Sequence, residues 1–108
     1  MITLSFEDQF VHDTCTDLER AEKLYGRVAA EELVTLIADA LALQNARDLI
    51  DLHGSAQVVG NDSLHVLIGA EYRVTLVPVG TRFKRTDAGC VLWDTVTRLK
   101  LVEVSRLP

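Results

Sequence analysis

At 108 residues, 48% of them hydrophobic and 25% charged, the chain has the size and composition of a single globular domain. No apolar run approaches the roughly 20 residues that a membrane-spanning helix requires, and two cysteines are too few for a disulfide framework or a thiolate metal site. The net charge of −5 argues against a protein that holds nucleic acid by charge alone, yet it is unevenly spread: residues 1–62 carry 12 acids and 4 bases, residues 63–108 only 4 acids and 7 bases. The basic second half either meets something anionic or is a solvated surface of uneven charge.

Ile2 to Phe6 alternates apolar and polar residues, which predicts a short, half-buried strand. The first eight residues hold no basic leader followed by an apolar stretch, so no signal peptide is expected and the default compartment is the cytoplasm. From Glu7 to Tyr25 the pattern is helical, with Val11, Cys15, Leu18, Ala21 and Tyr25 forming one stripe. Thr16 followed by Glu19 resembles a capping box, a place near residues 12–16 where this stretch can break. Gly26 then closes the helix. Arg27 to Gln44 carries the strongest helical signal, with Ala29, Leu33, Leu36, Ala40 and Leu43 on one face. Glu31 and Glu32 read as a solvated surface, since adjacent helical residues point apart. Asn45 can cap a third, short helix ending near Leu52. Ala56 to Val59 is strand-like, and Gly60-Asn61-Asp62 has turn composition.

The best-defined segment is a β-hairpin from Leu64 to Val79. Two runs of branched and aromatic residues flank Gly69-Ala70-Glu71, and the apolar pattern selects a three-residue loop with Ile68 opposite Tyr72. One face then holds Leu64, Val66, Ile68, Tyr72, Val74 and Leu76. The other holds His65, Leu67, Arg73 and Thr75. Thr81 to Asp94 is a basic, loop-like excursion containing Arg82, Phe83, Lys84 and Arg85, and Trp93 reads as a core anchor at its end. Thr95 to Val104 is the last strand, and the shift of its apolar set from Leu99 and Leu101 to Val102 and Val104 is the mark of a bulge. The order of elements predicts one α+β domain over residues 1–108, with two or three N-terminal helices packed on a twisted antiparallel β-sheet.

Several side chains are candidates for chemistry. Arg82, Lys84 and Arg85, interrupted by Phe83, can grip phosphates while the ring stacks on a base; they can equally pair with an acidic protein segment or solvate a loop. Arg98, Lys100 and Arg106 either extend a basic face or protect an edge strand by their charge. Cys15 is expected to pack on a helix face and Cys90 to lie in a loop, with no His–Cys arrangement around either. No metal or cofactor site is expected.

Three stretches, Cys15-Thr16-Asp17-Leu18-Glu19-Arg20-Ala21-Glu22-Lys23-Leu24-Tyr25-Gly26, Glu71-Tyr72-Arg73-Val74, and Trp93 through Val104, together resemble the RelE/ParE toxin superfamily, closest to HigB-like plasmid-maintenance killer proteins. The resemblance spans about residues 7–104. It implies the toxin of a type II toxin–antitoxin system, held inactive by a helix-turn-helix antitoxin, and acting as a metal- and cofactor-independent, ribosome-dependent mRNA endonuclease or as a catalytically degenerate relative. A non-enzymatic protein of the same fold, binding an antitoxin or inhibiting gyrase as ParE-like members do, is the alternative. Under the resemblance Arg73 is the phosphate-binding, charge-stabilising catalytic residue; Arg82, Lys84, Arg85, Arg98, Lys100 and Arg106 are the candidate nucleic-acid contacts beside it, by their charge alone. Where nuclease relatives carry Lys and Arg ahead of the hairpin, this chain has Ala56-Gln57-Val58-Val59-Gly60-Asn61-Asp62. Where many killer proteins end in an acidic residue, Tyr and His, it has Arg106-Leu107-Pro108. His65, with an ordinary pKa near 6.5, can substitute as general acid, or is a passive surface residue of its strand.

Overall fold

In the computed structural model, residues 2–108 are described. The chain forms β1 (Thr3–Phe6), α1 (Gln9–Thr16), α2 (Leu18–Tyr25), α3 (Arg27–Ala42), α4 (Ala46–Leu52), β2 (Gln57–Val59), β3 (Ser63–Ile68), β4 (Tyr72–Pro78), a 3-10 turn at Trp93–Thr95, and β5 (Arg98–Arg106). The architecture is α+β, with one more helix than expected because the first helical stretch divides in two. The residue that divides it is Asp17: its carboxylate accepts from the Glu19 and Arg20 N–H groups and starts α2. Thr16 is not that cap; its hydroxyl donates back to the His12 carbonyl at 2.8 Å. The break also takes Leu18 out of the expected stripe and leaves it exposed, while Cys15 and Ala21 stay buried.

Gly26 joins α2 to α3. Its φ of +86° lies in the region that side chains with a Cβ avoid. Its N–H donates to the Glu22 carbonyl, and its own carbonyl accepts from the Ala30 N–H, so one residue ends one helix and begins the next. Asn45 caps α4 as expected, accepting from the Asp48 N–H at 3.0 Å. From α3, Ala29, Ala30, Leu33, Leu36 and Ala40 are buried in the core.

The sheet has the order β1-β5-β4-β3-β2. Its hairpin has the expected register, with Ile68 opposite Tyr72, Val66 opposite Val74 and Leu64 opposite Leu76. Leu64, Val66, Ile68, Val74 and Leu76 are buried, joined by Leu99 and Leu101 of β5, and each contributes about 1.5–3 kcal/mol by leaving water. The expectation of an antiparallel sheet needs correction, because β1 runs parallel to β5, Leu4 beside Leu99 and Phe6 beside Leu101. Parallel neighbours need a long crossover; here everything between Phe6 and Arg98, helices included, supplies it.

The expected bulge is present. Thr75 pairs with Glu103 but Leu76 pairs with Leu101, so Val102 is the extra residue. The excursion between β4 and β5 is better fastened than a loop. Arg85 and Val91 form an antiparallel bridge, the Leu92 N–H donates to the Lys84 carbonyl, and Val91, Trp93 and Val96 are buried. No helix among the described residues is long and apolar enough to cross a membrane.

Candidate nucleic-acid interface

The helices take one face of the sheet. Directly opposed residues of neighbouring strands share a face, so the pairing identifies what the other face presents. Leu67, Arg73 and Ser105 form one row across β3, β4 and β5, and Gln57, His65, Thr75 and Glu103 form the next. Beyond the bulge come Val77 with Lys100, and then Arg98 beside Thr3 of β1.

Arg73 and His65 are thus brought onto one open face, in adjacent rows. Arg73 is half-buried, and its Nε is enclosed without a hydrogen-bond partner in the protein; the same is true of the Ser105 Oγ opposite it. His65 is held below its ordinary pKa of 6.5, by burial first and by the positive charge of Arg73 second, against an upward pull from Glu103. The shift favours the neutral form of the imidazole. That favours accepting a proton over donating one, which bears on the general-acid role the sequence assigns to it.

The six expected nucleic-acid contacts separate into groups. Arg82 and Arg98 line a pocket of about 340 Å³ at the end of the sheet where β4 leaves and β5 enters. Arg85 donates from Nη1 to the Gly89 carbonyl at 3.0 Å, and its guanidinium lies 5.2 Å from the centre of the Phe83 ring, so the ring is already occupied by a cation. Lys84 is exposed beside them, its N–H donating to the Thr95 hydroxyl. Lys100 lies on the open face with its Nζ 2.8 Å from a Glu7 carboxylate oxygen. Arg106 does not extend that face. The bulge moves it into register with Tyr72, on the helical side, where it pairs with Glu71.

No known protein family, curated protein or solved structure matches this chain.

The ion pairs are unevenly distributed among the basic residues. Arg20, Arg27 and Arg47 on the helices each pair with a carboxylate, as do Lys100 and Arg106. Among the described residues, Arg73, Arg82, Arg85 and Arg98 have no carboxylate within 4.0 Å. In a chain with 16 acids and 11 Lys and Arg residues, four consecutive arginines left without acidic partners stand out.

Other polar residues come together without any local sequence signal. His53 Nε2 lies 3.0 Å from an Asp39 carboxylate oxygen, tying α4 to α3 across 14 residues of chain. Glu32, expected on a solvated surface, accepts instead from the Gly69 N–H of the hairpin loop. Glu103 and Ser105 reach the Arg73 face only because of the bulge. Among the described residues, no three His, Cys, Asp or Glu side chains are grouped to hold a metal ion.

Proposed function

We propose that the open face of the sheet holds the backbone of single-stranded RNA, with Arg73 as its phosphate-binding group, and that the chain is the toxin of a toxin–antitoxin pair of RelE/ParE type. The observation that carries this is the set of arginines without acidic partners from Arg73 to Arg98, which provides cations for phosphates on a protein whose helical arginines are neutralised. In this reading Arg73 offsets the charge that builds on the phosphoryl oxygens as a ribose 2′-hydroxyl attacks phosphorus, neutral His65 takes the hydroxyl proton, and the bond from phosphorus to the 5′-oxygen breaks, that oxygen taking its proton from solvent. The chemistry needs neither metal nor cofactor. A helix-turn-helix antitoxin is the partner that silences it, and the ribosome is where mRNA is presented.

One observation favours the second reading, a relative that binds but no longer cuts. With the His65 pKa lowered, the face has no evident acid to protonate the leaving oxygen. Glu103, beside the same row, repels phosphate and divides the Arg73 end from the Arg98 end.

Regulated expression in a bacterial host, with and without the product of the adjacent reading frame, tests the proposal. The expected result is growth arrest with mRNA cut in translating extracts, relieved by the neighbour and abolished by Arg73→Ala. Arrest without cleavage but with RNA binding lost in Arg73→Ala identifies the binding-only relative. Arrest indifferent to Arg73→Ala overturns the RNA reading, and a supercoiling defect then points to gyrase.

A further inference from the structure

At one end of the sheet, β4 turns away at Val79 and Gly80 while β5 enters through Thr97 and Arg98, alongside the first residue of β1. The gap between them is the pocket of about 340 Å³, large enough for a phosphate with part of its carrier. Arg82 forms one wall and Arg98 another; Thr3, Thr81, Thr97 and Phe83 complete it. The Thr95 hydroxyl beside them is committed to the fold, accepting from the Lys84 N–H and donating to the Leu92 carbonyl. No carboxylate lines the pocket, and neither arginine has an acidic partner within 4.0 Å among the described residues. Two guanidiniums over one cavity repel each other unless an anion lies between them, and guanidinium matches phosphate oxygens in a two-pronged geometry.

We propose that this pocket is a phosphate-monoester site in which Arg82 and Arg98 grip the phosphoryl oxygens and the threonine wall supplies hydroxyl donors. A monoester fits better than a diester in mid-strand. Its dianionic charge matches two cations, and the pocket lies at the end of the sheet, roughly 20 Å from Arg73 along β4 at about 3.3 Å per residue. The phosphate comes either from a free nucleotide or from the 5′ end of a strand whose body follows the open face. The site itself does not depend on that face binding RNA.

The experiment uses the full chain and amide-resolved NMR titration. Inorganic phosphate, adenosine 5′-monophosphate, and one oligoribonucleotide with and without a 5′-phosphate are added in turn. Saturable shifts confined to Gly80, Thr81, Thr97 and Arg98 are expected with phosphate and the monophosphate, and shifts that include these residues with the 5′-phosphorylated strand if the site takes strand ends. Arg82→Gln and Arg98→Gln should each weaken binding by about tenfold or more, the loss of a charge-assisted contact, whereas Arg27→Gln on α3 should leave it unchanged. Matching thermal melts show that both pocket variants fold. Monophosphate binding with no preference between the two oligonucleotides assigns the site to free nucleotides, and preference for the 5′-phosphorylated strand assigns it to strand ends. Failure of all four probes to shift the pocket residues, or phosphate and monophosphate binding that survives in the double variant Arg82→Gln/Arg98→Gln, overturns the proposal. RNA binding that depends on Arg73, with no shift at the pocket residues from any of the four probes, overturns it while leaving the open-face reading intact.

Discussion

Arg73 and Ser105 face each other across β4 and β5, and each keeps a buried polar atom, Nε in one and Oγ in the other, without a hydrogen-bond partner in the protein. A guanidinium in this position costs stability, because the desolvated donor gets nothing in return. Replacing it by an apolar side chain of similar length removes the cost and keeps the packing of the stem. Arg73→Met is therefore expected to leave urea-unfolding stability unchanged or to raise it by up to about 2 kcal/mol. The same change should weaken binding of a fluorescent single-stranded oligoribonucleotide about tenfold or more, the value of a charge-assisted contact. Stability falling in step with binding would make Arg73 a residue of the fold.

His65 gives the face a pH dependence whose sign follows from its neighbours. The titratable and charged groups that act on it are Arg73 on β4 and Glu103 on β5, the first lowering and the second raising its pKa, with burial lowering it further. A histidine depressed in the folded state binds fewer protons there than when unfolded. Its contribution is thus fully present above its ordinary value of 6.5 and is lost as pH falls through the folded value. In an NMR titration the His65 ring is expected to titrate below 6.5. Arg73→Met should move the midpoint part of the way back, since burial remains, and Glu103→Gln should move it lower. A midpoint unmoved by Arg73→Met contradicts the electrostatic coupling.

The hairpin was legible in the sequence because burial imposes a period of two on both strands, and only one register keeps Arg73 out of the core. Gly26 and Asn45 were legible for a similar reason: a turn and a cap are set by a few adjacent residues. What escaped depends on partners distant in the chain. Nothing local specifies that Phe6 lies beside Leu101, so the parallel pairing of β1 was hidden. The bulge was visible in the apolar residues, but it shifts polar ones too: alternation carried on from Arg98 and Lys100 puts Arg106 on the open face, and Val102 sends it to the other. Glu103 and Ser105 reach the site by the same shift, and the pairing of Asp39 with His53 follows no helical or strand period.

The two thiols should separate cleanly. Cys15 is buried, and burial pushes its pKa up to about 11, whereas Cys90 is exposed. The thiolate is the reactive species, so a disulfide reagent at pH 8 is expected to modify one thiol of the native protein quickly and the second only at the rate of opening. The two should become equivalent in denaturant. Two fast thiols in the native protein would mean that the packing of α1 against the rest of the core is loose.

Gly69 opens the hairpin loop with a φ of +60°, and a Cβ added there would meet the Ala29 Cβ at 3.1 Å. Two costs therefore fall on Gly69→Ala. The left-handed backbone costs about 1–2 kcal/mol for a residue with a side chain, and crowding against α3 adds to it. Gly60 separates them, since its φ is +65° and nothing lies within 4 Å of an added Cβ. Gly60→Ala is expected to show the backbone cost alone in urea unfolding, and Gly69→Ala a larger loss. Ala29→Gly combined with Gly69→Ala should recover the excess, after allowing about 1 kcal/mol for glycine inside a helix. Equal losses at the two glycines would mean that the hairpin loop does not press on α3, and the contact that seats the sheet under its longest helix would have to be sought elsewhere.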